Sequence, residues 1–174
     1  MRPIFLSLVI FALVGAPSTD TPKGPFSLAV VPTSNHSEGG SITMAQNKPR
    51  DFYVVLTNVS KEPQAVWENW NSWGYRTISF VFTTVDGSKI VVSKRQQAFT
   101  RNGPSTFLIQ PGEHQVYAIR LDKEWGAHPM LSRADEMPIT LKAVYEVSPT
   151  PEATQYNVWT GRIESGSYKF TLRQ

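Results

Sequence analysis

From Thr77 to Phe82 the chain alternates, with Ile78, Phe80 and Phe82 on one side of an extended backbone and Thr77, Ser79 and Val81 on the other. Successive side chains of a strand point to opposite faces, so this segment is suited to burying one face and exposing the other. Asp86-Gly87 follows, and then Lys89 to Ser93. An Asp-Gly pair between two such runs predicts a hairpin closed by a type I′ turn. The pattern repeats along the chain. Phe107 to Ile109, Pro111-Gly112 and Gln115 to Leu121 form a second strand-turn-strand, with Tyr117, Ile119 and Leu121 inward. Ile139, Leu141, Ala143, Tyr145 and Val147 alternate with polar residues, as do Tyr168, Phe170 and Leu172. Phe26 to Val31, Ile42 to Met44 and Phe52 to Thr57 add shorter runs, and no segment sustains a helical period. The expectation is an all-β antiparallel sandwich of about seven to nine strands, with a closed barrel giving the same alternation.

The amino terminus differs from all of this. Met1 and Arg2 precede an uncharged run from Ile4 to Val14 and then small residues. That is the layout of a secretory signal, too short to span a membrane as an anchor. Residues 1–16 are read as the signal, cut after Ala16 or, because of Pro17, after Ser18; 17–25 as a flexible lead-in; and 26–174 as one domain. No later stretch approaches spanning length, so the mature chain is expected without a transmembrane span, in the periplasm or outside the cell. It has no Cys. The exported domain therefore relies on burial and hydrogen bonding alone, which a chain of about 150 residues can supply. Loss of Arg2 with the leader lowers the formal charge from +3 to +2, a balance that argues against a nucleic-acid partner.

Several phrases of the chain carry a resemblance. Val55-Leu56-Thr57-Asn58-Val59-Ser60, Pro111-Gly112-Glu113, and Leu141 to Tyr145 followed by Val158-Trp159-Thr160-Gly161-Arg162 resemble secreted bacterial proteins with an immunoglobulin-like β-sandwich, many of unassigned activity. The most distinctive pieces are Trp70 to Tyr75 and Trp159-Thr160-Gly161. The resemblance implies an immunoglobulin-like fold and an exported bacterial setting. It brings no catalytic residues.

Chemistry-bearing motifs are sparse. There is no Gly-x-Ser-x-Gly elbow, His-Glu-x-x-His helix, calcium loop or phosphate cradle, so no enzyme activity, cofactor or metal is expected. His36, His114 and His128 could join a Ser/His/Asp set only by chance of folding, and His114 sits in a turn. Asp135-Glu136 reads as a solvated loop. Asn35-His36-Ser37 and Asn58-Val59-Ser60 match the glycosylation pattern but read as turns.

Two features stand above that background. Trp67-Glu68-Asn69-Trp70-Asn71-Ser72-Trp73-Gly74-Tyr75 holds three of the five Trp in nine residues. As a ligand surface, Trp67, Trp70, Trp73 and Tyr75 would stack sugar rings while Asn69 bonds hydroxyls; as packing, the same rings would close one end of the sandwich. Between Gly87 and Glu113 no acidic residue occurs, whereas Lys89, Lys94, Arg95 and Arg101 do. They are candidates for an anionic partner, or guards of strand edges. The function expected is a non-enzymatic binding module of the bacterial cell envelope, for protein or polysaccharide, with carbohydrate as one ligand class. The alternative is a structural or inhibitor-like domain that binds protein through a strand edge. Exposure of the Trp side chains favours the first; a long edge with few charges favours the second.

Overall fold

The computed structural model describes residues 24–33, 40–43, 52–126 and 137–173. The signal segment, most of the lead-in, Asn35, His36, His128, Asp135 and Glu136 lie outside them. Within them the chain is all-β apart from one short helix, in mainly antiparallel sheets. One sheet has the order β1 (Phe26–Pro32), β3 (Phe52–Asn58), β8 (His114–Ile119). A larger one has the order β2 (Gly40–Thr43), β11 (Tyr168–Arg173), β9 (Met137–Val147), β5 (Ile78–Thr84), β6 (Lys89–Ser93), with β10 (Gly161–Glu164) also on β9. β4 (Gln64–Trp67) and β7 (Thr106–Ile109) pair separately. β2 runs parallel to β11, and the other strand pairs are antiparallel.

The period-two residues form the core between the two larger sheets. Phe52 of β3 meets Phe80 of β5 edge to face at 5.1 Å and lies 5.9 Å from Phe170 of β11. Phe80, Phe82, Leu141, Tyr145 and Phe170, all predicted inward, are at most 3% exposed. Burial of such alternating faces is the main source of stability in a cysteine-free domain.

Three details depart from the sequence expectation. Eleven strands are present among the described residues rather than seven to nine, because β4 and β10 are only four residues long and carry little alternation. The Asp86-Gly87 turn is not type I′: Gly87 has φ +85° but Asp86 is not in the positive region. The Gly87 amide donates to Thr84 O at 3.0 Å and the Thr84 amide to Ser88 O at 3.0 Å, as in a three-residue loop with a glycine bulge. Asp86 caps that loop through the hydroxyl and amide of Ser88 and the hydroxyl of Thr84.

The third is helix α1 (Pro151–Gln155), which is too short to show a period. Thr150 caps it by accepting the Ala153 amide at 3.1 Å, and proline opens its first turn. It ends in a Schellman motif, with Asn157 at φ 52° and Val158 donating to Ala153 O at 2.8 Å. The exit delivers Trp159 onto Phe26 (5.4 Å, edge to face) and Tyr145 (6.0 Å, stacked).

β10 and β11 are one strand broken by a bulge. Glu164 faces Val144 and Tyr168 faces Leu141, so one extra residue is inserted opposite β9. Buried Ser165 fills the break: its amide donates to Ala143 O at 2.9 Å and its hydroxyl accepts the Ala143 amide at 2.9 Å.

Candidate functional site

The corner between β3 and β4 sets the site's frame. Asn58 is fully buried, and its Nδ2 donates to Glu62 O and Ile109 O, both at 2.8 Å. Its Oδ1 accepts the Ser60 amide at 2.9 Å and hydroxyl at 2.7 Å. The Pro111-Gly112 turn is stitched to the same residue, Gly112 N–H to Asn58 O at 2.8 Å and Asn58 N–H to Glu113 O at 3.0 Å. From this knot β3 leads β8 one way and β4 leads β7 the other. Asn58 therefore ends β3 rather than lying in the turn the sequence suggested, and its side chain shapes the turn that follows, with its amide nitrogen already committed.

The Trp-rich segment does not form one aromatic platform. Trp67 is 3% exposed, with its ring 5.9 Å from Trp73 and 5.7 Å from Tyr156; Tyr75 is also buried, and Trp73 is half-buried against the core. Trp70 is 53% exposed and Asn69 also faces solvent. The split follows from chain geometry. Buried Asn71 bonds Ser105 O at 3.1 Å through Nδ2 and accepts the Gly74 amide at 2.9 Å through Oδ1, folding the segment back on itself. A Cβ on Gly74 would lie 2.1 Å from Glu68 O, so only glycine permits that closure. Ser72 and Asn102 exchange two further hydrogen bonds, of 3.0 and 2.8 Å. Glu68 accepts the Trp70 indole N–H at 2.7 Å and the Ser105 hydroxyl, which fixes the exposed ring.

The basic residues are divided as well. Lys89 and Arg95 fall on the outward positions of β6 and its extension, whereas Lys94 shares parity with Ile90 and Val92 and turns inward. Its Nζ lies 4.2 Å from the Tyr75 ring centroid and 5.8 Å from that of Trp125. Arg95 is exposed, with its Nε donating to Trp125 O at 3.3 Å, and Arg101 stands exposed in the following loop. Lys94 therefore leaves the basic group and joins the aromatic one.

Two adjoining hollows result. The first, about 210 Å³, is lined by Glu68, Asn69, Trp70, Phe107, Gln115 and Tyr117. The second, about 330 Å³, continues along β8 from Val116 to Arg120 and is walled by Tyr75, Lys94 and Trp125. Asn69 and Tyr117 border both, so the two hollows adjoin along β8. β8 pairs with β3 alone and β7 with β4 alone among the described residues. Neither strand carries Lys, Arg, Asp or Glu, and Leu108 of β7 and Val116 of β8 are exposed. Burial pushes the Lys94 ammonium below its ordinary value, with Glu124 and then Asp122 opposing that shift.

His114 is exposed, and no three His, Asp or Glu of the described residues are placed to share a metal. Among those residues, no helix is long and apolar enough to cross a membrane. No protein-family model matches the chain, and no curated protein or solved structure matches it.

The sequence missed β7, β8 and Trp125 as parts of one site. The uncharged run Phe107 to Ile109 and Gln115 to Ile119 was the available signal.

Proposed function

We propose that this protein is an exported, non-enzymatic interaction module of the bacterial cell envelope, built as an immunoglobulin-like sandwich, that binds an extended segment of a partner protein along β8. One observation carries the reading: an uncharged strand edge, unpaired among the described residues, floors a groove bordered by Trp70, Phe107 and Tyr117. An extended peptide laid beside six residues of strand would cover about 20 Å and gain main-chain hydrogen bonds, while alternate side chains enter the hollows. Export rests on the layout of residues 1–16.

The test is an array of peptides tiled over envelope proteins, followed by amide-shift mapping of the strongest binder. Shifts concentrated at residues 114–119, lost in Val116→Lys with the fold intact, support strand addition. Binders that leave those amides unmoved refute it. A second reading, carbohydrate binding, is favoured by the exposed Trp70 ring with its N–H held by Glu68. Glycan-array binding that Trp70→Ala removes and Val116→Lys spares would establish that reading instead.

A further inference from the structure

We infer that the Lys94 end of the groove is a carboxylate subsite, so that the preferred peptide carries an Asp or Glu side chain at a fixed distance from an apolar residue seated against Trp70. This rests on the strand-addition reading and adds a chemical requirement to it. Among the described residues half-buried Lys94 donates no side-chain hydrogen bond and has no carboxylate within 4.0 Å, so Glu124 and Asp122 act on it only from a distance. The ion pair in this wall is Arg120 to Asp122 at 3.7 Å, and it leaves Lys94 out.

Position and packing make the ammonium a recognition group. Inward parity on the extension of β6 aims it at the cleft, and the Tyr75 face beneath it at 4.2 Å supplies cation–π attraction without using its hydrogen-bond donors. The bridge from Lys94 to Trp125 and the 2.6 Å bond from the Gly126 amide to Ser93 O hold its backbone in place. A carboxylate arriving from β8 would receive a charge-assisted hydrogen bond in a site already partly stripped of water, where such bonds are strongest. Asp122 and Glu124 border the same cleft and set a limit. They disfavour densely anionic partners such as polyphosphate or a nucleic acid, and leave room for a single carboxylate.

The experiment is selection of a random displayed peptide library on the secreted chain, with affinities then measured for Lys94→Met and Lys94→Arg. Met keeps the stem over Tyr75 and removes the charge; Arg keeps the charge. Enriched peptides are expected to carry an acidic residue at one spacing from an apolar residue, to lose about tenfold in affinity with Lys94→Met, and to recover most of it with Lys94→Arg. Peptides that shift residues 114–119 yet show no acidic preference, or bind Lys94→Met as well as the parent, overturn the carboxylate subsite and leave strand addition standing. A selection yielding no peptide that moves those amides overturns both. Melting curves of both variants separate loss of recognition from loss of fold.

Discussion

Trp67 and Trp70 are three residues apart, and replacing each by alanine should have different consequences. Trp67 is 3% exposed and packs on Trp73 and Tyr156. Removing a buried indole costs about 3–5 kcal/mol, since the large side chain leaves a cavity that its neighbours only partly fill. At about 2–4 °C per kcal/mol for a chain of this length, the melting temperature should fall by roughly 6–20 °C. Trp70 is 53% exposed, and its indole N–H bonds a carboxylate at the surface. About half its ring area remains in water, so Trp70→Ala should cost about 1–2 kcal/mol. Urea unfolding followed by circular dichroism resolves a gap of about 2 kcal/mol between the variants. Acrylamide quenching adds an independent readout: Trp70→Phe should remove the most accessible component of the fluorescence. Equal destabilisation by the two alanine variants, or a larger loss for Trp70→Ala, would show that the segment does not fold with one ring in and the other out.

Further outcomes follow from other parts of the structure. Phe80→Ala, at a fully buried ring against Phe52 and Trp125, should cost about 3–5 kcal/mol in the same unfolding assay. Asn58→Ala strips Glu62 O and Ile109 O of their side-chain donor and should cost about 2–4 kcal/mol in that assay. Burial raises the Tyr117 and Tyr145 phenols well above their ordinary value, so above about pH 10 the unfolded state releases protons that the native state keeps. Stability should then fall by about 1.4 kcal/mol per pH unit for each of these two tyrosines, and absorbance at alkaline pH should show them ionising only on unfolding. Intact-mass measurement of secreted material should find the first 16 to 18 residues removed, and a product retaining Met1 would make that segment an anchor.

The strands that alternate over six or more residues were legible because period two is a local property. Phe80, Leu141 and Phe170 needed only their own neighbours to be placed inward. The turn at Asp86 was legible in position but not in type. Its dihedral angles depend on whether the hairpin closes at Thr84 and Ser88 or one residue further in, and composition does not fix that choice. β4, β10 and α1 were missed because four or five residues are too few to show a period. The Trp-rich segment was ambiguous for another reason: whether a ring in a loop points in or out is decided by the backbone route. Here Asn71, Ser105 and Gly74 set that route through contacts spanning more than thirty residues. The basic run misled because it was read as a charge total rather than by strand parity, which separates Lys94 from Lys89 and Arg95.

The treatment of strand edges bears most directly on function. An open edge invites pairing with another chain, and soluble proteins blunt it with charge, proline, bulges or cover. Several edges here follow that rule. β1 ends in Pro32, and β6 begins at exposed Lys89 and is bridged at its far end by Trp125. β4 is paired by β7 on one side and met on the other by Val158 and by the Trp159 amide, 3.0 Å from Ala65 O. Among the described residues β8 and the facing side of β7 have none of these devices, although the Pro111-Gly112 turn that joins them is tied to the Asn58 backbone and the Asn58 side chain holds Ile109 O. Two strands joined by a tight turn would ordinarily pair with each other and close the edge at no cost in loop length. Keeping them separated sacrifices that pairing and leaves apolar Leu108 and Val116 in water. Such an arrangement is consistent with a groove kept available for an incoming strand, and it is harder to reconcile with a fold selected for inertness alone.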